Sequence, residues 1–98
     1  MVENINISLD NLGTLNKNCV TIGTDKGRIN LYFSYETLVA VDNVVSVNDW
    51  SRTTGKLLNE LEPDKNKRVL HEQVLKEAQK RLKAILYSTK ELVLENLQ

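Results

Sequence analysis

The sequence predicts an α+β fold: a small antiparallel β-meander packed against helices, ending in a long C-terminal amphipathic helix. Three observations carry this. Cys19 to Val47 is rich in β-branched and apolar residues, which alternate with polar ones from Arg28 to Tyr35 and occupy both faces from Leu38 to Val41. Turn chemistry interrupts this stretch twice, and after Pro63 the apolar residues recur at helical spacing. A chain of 98 residues has the length of one domain and can support one core, so residues 1–98 are read as a single unit.

Leu9, Leu12 and Leu15, with Ser8 as a cap, suggest a short helix over 8–17 that Gly13 would weaken. Cys19 to Thr24 is rich in β-branched residues. Asp25-Lys26-Gly27 then forms a turn, and Ile29, Leu31, Phe33 and Tyr35 alternate with Arg28, Asn30, Tyr32 and Ser34. That pattern is a hairpin with Phe33 and Tyr35 inward and Tyr32 outward. Leu38 to Val41, turning at Asp42-Asn43 and returning through Val44 to Val47, makes a second hairpin and a four-stranded meander. Asp49 or Ser51 caps the next helix, whose stripe of Leu57, Leu58 and Leu61 ends at Pro63.

From Asp64 onward, Val74, Leu75, Ala78, Leu82, Ile85, Leu86, Leu92 and Val93 fall within one sector of a helix. Glu72 stands four residues before Lys76, and Glu77 four before Arg81, the order that supports a solvated helical face. Ser88-x-x-Glu91 resembles a capping box that would start a separate helix, yet the stripe keeps its phase through it. A single helix from about 64 to 96 would be roughly 50 Å long, more than a domain of this size can cover. The overhang would expose Ile85, Leu86, Leu92, Val93 and Leu97, and a second copy of the chain is expected to cover them. The alternative is a break at Ser88, with the last helix folded back and the protein monomeric.

Formal net charge is zero, which removes the simplest argument for nucleic-acid binding. The charge is unevenly placed: residues 1–62 carry eight acids and five bases, residues 63–98 five acids and eight bases. No apolar run is long enough for a membrane span, and Met1 to Asp10 lacks the pattern of a signal peptide, so the expectation is a cytoplasmic protein with no membrane partner. Cys19 is the one cysteine and reads as a buried, inert thiol.

No catalytic or metal-binding constellation stands out, and the expectation is a protein that is no enzyme and carries no cofactor. His71 is the one histidine, with no Cys or carboxylate at ligand spacing around it. The densest polar cluster is Trp50-Ser51-Arg52-Thr53-Thr54-Gly55-Lys56, which opens a helix with hydroxyls, free N–H groups and two bases. It could hold a phosphate or carboxylate, or could simply cap the helix with Trp50 against the core. Tyr32 with Arg28 could stack bases, or be ordinary strand surface. Lys65, Lys67 and Arg68, followed by Lys76, Lys80, Arg81 and Lys83, could track a phosphate backbone, diluted by Glu72 and Glu77.

Tyr32-Phe33-Ser34-Tyr35-Glu36-Thr37, Val39-Ala40 and Asn48-Asp49-Trp50-Ser51-Arg52-Thr53-Thr54-Gly55-Lys56 together resemble a family of small domains of unknown function from viruses, mobile elements and some prokaryotes. The resemblance covers less than a third of the chain and implies a provenance more than a mechanism; eleven asparagines agree with an A+T-rich source. The family pattern has a histidine near the end of the second motif, where this chain has Leu57, so any chemistry resting on that histidine is not carried over. The resulting expectation is a viral or mobile-element accessory protein. It would bind an unidentified protein partner, through Tyr32, Trp50, Arg52, Thr53, Thr54 and Lys56, as a homodimer joined by its last helix. The alternative is nucleic-acid binding along the basic C-terminal helix.

Overall fold

The computed structural model describes residues 4–14 and 16–87. Five antiparallel strands follow one another in chain order: β1 (Asn6–Asn11), β2 (Lys17–Thr24), β3 (Gly27–Ser34), β4 (Thr37–Val41) and β5 (Val44–Val45). Among the described residues two helices follow, α1 (Arg52–Leu61) and α2 (His71–Leu86), separated by a 3₁₀ turn at Lys65–Lys67. From β2 to β5 each strand joins the next through a two-residue turn. Gly27 takes a φ of +147° in the β2–β3 turn, and Tyr35 and Asp42 take φ of +56° and +48° in the next two. No helix among the described residues is long and apolar enough to cross a membrane.

The sheet has a core on each face. Ile29, Leu31 and Val41 meet Val74, Ala78 and Ile85 of α2 on one side, whereas Val39, Ala40 and Val45 meet Leu57 and Leu58 of α1 on the other. Burying a leucine such as Leu58, which is fully enclosed, stabilises the fold by about 1.5–3 kcal/mol. A break in the alternation divides these two sets. Tyr32 pairs with Ala40 and Phe33 with Leu38, so Val39 is an extra residue in β4. This bulge turns both Val39 and Ala40 towards α1 while Leu38 and Val41 face α2. It explains why Leu38 to Val41 reads as apolar on both faces.

Several expectations are corrected. The described residues between 8 and 17 form no helix: Ile7 and Leu9 continue a period of two, and β1 pairs with β2 from Asn6↔Gly23 to Asn11↔Asn18, making the meander five-stranded. Tyr35 is exposed rather than inward, because the chain turns on it and its left-handed backbone ends the alternation. Tyr32 is not on open surface: it is half-buried beside the α1 core, and burial pushes its hydroxyl above the ordinary value of 10.0, with Cys19 and Asp42 adding to the shift.

The long helix is also shorter than expected. After Pro63 come the 3₁₀ turn and an extended stretch in which Val69 bridges Ser46 in parallel, with Val69 N donating to Val45 O and Val47 N donating to Val69 O. Helix α2 begins only at His71 and ends at Leu86, a span of about 24 Å. Its end is held by the β2–β3 turn. Thr24 Oγ1 donates to the Ile85 carbonyl at 2.7 Å, and Lys26 Nζ to the Tyr87 carbonyl at 3.0 Å, so acceptors that a continuing helix would engage are met from the sheet. Ile85 is therefore buried against the sheet and Leu86 packs beside the same core, instead of both standing on an overhang. Leu92, Val93 and Leu97 lie outside the described residues.

Candidate functional site

Helix α1 starts at the polar corner singled out in the sequence. Ser51 is the cap: its backbone is extended and its Oγ accepts from Thr54 N at 3.2 Å. Asn48 braces the turn before it, accepting from Trp50 N and donating to Ser51 O, both at 3.1 Å. A glycine in a helix interior costs roughly 0.5–1 kcal/mol, and Gly55 has a local reason to be one. A Cβ on Gly55 would stand 2.8 Å from Asn48 Nδ2, so the glycine admits the bracing carboxamide.

Positions 52, 55, 56 and 59 lie on one face of α1, and that face forms one wall of an open hollow of about 470 Å³. Val47 and Asn48 form its end, and Lys65 and Arg68 the opposite wall. Arg68 is fixed in place: Nε and Nη2 donate to the Glu62 carbonyl at 3.1 and 2.9 Å, and Nη2 also to Asn59 Oδ1 at 2.6 Å. Four cationic side chains, Arg52, Lys56, Lys65 and Arg68, line the hollow, and no acid does. Among the described residues, Arg52, Lys56 and Lys65 form no ion pair. The arrangement suits an anion, whose charge would meet several donors at once.

The rest of the expected site is distributed differently. Arg52 and Lys56 line the hollow, but Thr53 is exposed and does not. Thr54 is buried, and its hydroxyl bonds to Ser34 Oγ at 2.8 Å, so it holds the two motifs together and is not presented to a ligand. Trp50 does not line the hollow; its ring meets that of His71 edge to face with centroids 4.9 Å apart. His71 Nε2 donates to the Leu38 carbonyl at 2.8 Å, which tethers the start of α2 to β4. A smaller hollow of about 120 Å³ lies where Ser34, Tyr35 and Thr37 of the first motif meet Trp50, Ser51 and Thr54 of the second.

Sequence reasoning missed Asn48, Asn59, Lys65 and Arg68 as members of one site with Arg52 and Lys56. Lys65 and Arg68 were assigned to a single basic helix, whereas the break before His71 separates them from α2 and returns them to α1. On α2 itself the predicted pairs are present: Glu72 to Lys76 at 2.9 Å and Glu77 to Arg81 at 2.8 Å, while Arg81 also bonds Asp42 Oδ2 at 3.0 Å. Bonding to Glu77, more than to Asp42, raises the Arg81 pKa against the opposing effect of burial. The bond from Lys76 lowers that of Glu72, which lies in full solvent. Among the described residues no group of three His, Cys, Asp or Glu side chains gathers as metal ligands would.

Residues 5–78 match the family of unknown function DUF8033, and the chain belongs to that family. The matched span contains the whole sheet, α1 and both walls of the basic hollow. No curated protein and no solved structure matches the chain.

Proposed function

We propose that this member of DUF8033 is a protein-binding module that works as a homodimer and receives an acidic segment of its partner in the hollow between α1 and the Lys65–Arg68 stretch. The observation that carries the reading is the one-signed lining of that hollow by Arg52, Lys56, Lys65 and Arg68 in a chain of zero formal net charge. Partner side chains bearing carboxylates would find cations that, among the described residues, meet no competing acid. The motif resemblance and the asparagine-rich composition support an accessory protein of a virus or mobile element, acting in the host cytoplasm.

The nucleic-acid alternative has less in its favour. Its track along α2 is interrupted where Glu72 holds Lys76 and where Glu77 and Asp42 hold Arg81, and Tyr32 is half-buried beside the α1 core rather than offered to a base.

Fluorescence anisotropy with a labelled oligoglutamate peptide, an oligoglutamine control and a single-stranded oligonucleotide tests the reading. The expected result is binding of the glutamate peptide that weakens with salt and is lost in Arg52→Glu/Lys56→Glu. Equal binding by that variant would remove the hollow from consideration. Stronger binding of the oligonucleotide would favour the alternative.

A further inference from the structure

Among the described residues strand β1 is an unpaired edge of the sheet, and apart from Asp10 it lacks the features that usually keep an edge from pairing. Its sequence, Asn-Ile-Ser-Leu-Asp-Asn, has no lysine or proline, its pairing with β2 is regular, and all six residues are exposed. Ile7 and Leu9 retain 68% and 67% of their surface in solvent. They pair with Ile22 and Val20, and through these continue the face that carries Ile29 and Leu31. Helix α2 lies over β3 and β4 and meets β2 only slightly, so among the described residues the β1 end of that face is left open.

We infer that this edge is the seam of the homodimer: β1 of one copy pairs antiparallel with β1 of another, giving a continuous ten-stranded sheet. The inference deepens the homodimer reading above and relocates its interface from the last helix to the first strand. What identifies the occupant as a second copy is the self-complementarity of β1. A two-fold axis through Ser8 sets Ile7 opposite Leu9 of the partner subunit, and Leu9 opposite the partner's Ile7, on the α2 face. The same axis sets Asp10, the one charge in the strand, opposite the neutral Asn6 of the partner subunit, so no like charges meet.

Neighbouring registers fit less well. An axis through Leu9 places Ile7 against a polar asparagine. An axis through Ile7 requires residue 4 as a pairing position, and Asn4 has a φ of +59°, outside strand geometry. The Ser8 register alone pairs both aliphatics with aliphatics inside β1. Opposed side chains in such a ladder stand about 4.5–5.5 Å apart, so the exposed Ile7 and Leu9 of each copy become neighbours across the seam.

Light scattering behind a sizing column is the test, applied to the full chain and to Ile7→Lys/Leu9→Lys, with far-UV circular dichroism and melting as controls. Both positions are exposed, so the variant should keep its fold while placing lysines opposite lysines across the seam. The expected result is twice the chain mass for the unaltered protein and a single chain mass for the variant. In addition, Ser8→Cys with Cys19→Ser should form an intermolecular disulfide on mild oxidation. A variant that stays dimeric overturns the β1 seam and leaves the homodimer reading standing. An unaltered protein of single chain mass overturns both, and protection of its β1 amides from exchange would then assign the face to another part of the same chain.

Discussion

Ser34 and Thr54, twenty residues apart, share a hydrogen bond of 2.8 Å between buried hydroxyls. It joins the end of β3 to the first turn of α1, and with it the two sequence motifs. Ser51 Oγ also lies 3.3 Å from Thr54 Oγ1, so the cap and the inter-element bond form one chain of hydroxyls. Thr54→Val should leave Ser34 unpaired in the core and cost about 1–3 kcal/mol in urea denaturation. Ser34→Ala with Thr54→Val should cost less than the two single changes summed, because neither buried donor is then orphaned. Strict additivity would mean the bond contributes no coupling.

Gly55→Ala sets two effects against each other. Alanine gains up to about 1 kcal/mol in a helix interior, yet its Cβ would stand 2.8 Å from Asn48 Nδ2 and displace the brace of the turn. A net loss of about 1 kcal/mol is expected, with the glutamate peptide bound more weakly because Asn48 and Gly55 line the hollow. Adding Asn48→Ala should relieve the clash, and the double variant should melt no lower than Asn48→Ala alone.

Asp42 does more than Arg81 in the link between the β4–β5 turn and α2. Its Oδ1 accepts from Asn30 N at 3.0 Å, its Oδ2 from Arg81 at 3.0 Å, and its backbone sits at a φ of +48° that aspartate and asparagine tolerate better than most residues. Because the ion pair is about a third exposed, Arg81→Met should cost only about 0.5–1 kcal/mol, less at high salt. Asp42→Ala should cost about 2 kcal/mol and Asp42→Asn less, since asparagine keeps the turn and an acceptor for Asn30. Denaturant midpoints of the three variants give the order.

The Tyr32 hydroxyl is raised above 10.0 chiefly by burial. A raised pKa means that the folded state holds this proton more tightly than the unfolded chain. The associated stability is complete below pH 10 and is lost as pH climbs from there through the folded value. Tyr32→Phe should remove that part of the alkaline loss, and a spectrophotometric titration should lose the one tyrosinate component that is raised in the folded protein and returns to its ordinary range on unfolding. Persistence of that component in the variant would assign it elsewhere.

The hairpins from Cys19 to Val45 were legible because each announces itself locally, by β-branched and alternating residues around Asp25-Lys26-Gly27 and by short apolar runs on either side of Asp42-Asn43. Cap and stop of α1, at Ser51 and before Pro63, were legible for the same reason. Strand β1 was hidden because Leu9, Leu12 and Leu15 mimic a helical spacing while the period-two partners lie upstream at Ile5 and Ile7. The stop at Leu86 could not be read from a stripe that keeps its phase, since the groups that hold the last carbonyls come from Thr24 and Lys26. Half of the basic hollow was visible in Arg52 and Lys56. The other half depended on the chain turning back after Pro63, which Arg68 secures through Glu62 and Asn59.

The clasp between Thr24 and Ile85 spans sixty-one residues, whereas every strand pairing in the meander joins sequence neighbours. A chain built this way can zip its hairpins quickly and must wait on a large loop closure before the far end of α2 is secured. The clasp is then expected to form late in folding, after the rate-limiting barrier. Thr24→Val should speed unfolding in stopped-flow experiments while leaving the refolding arm almost unmoved. What the turn at Asp25-Lys26 gives the molecule is thus lifetime: it slows the release of the helix without hastening its arrival.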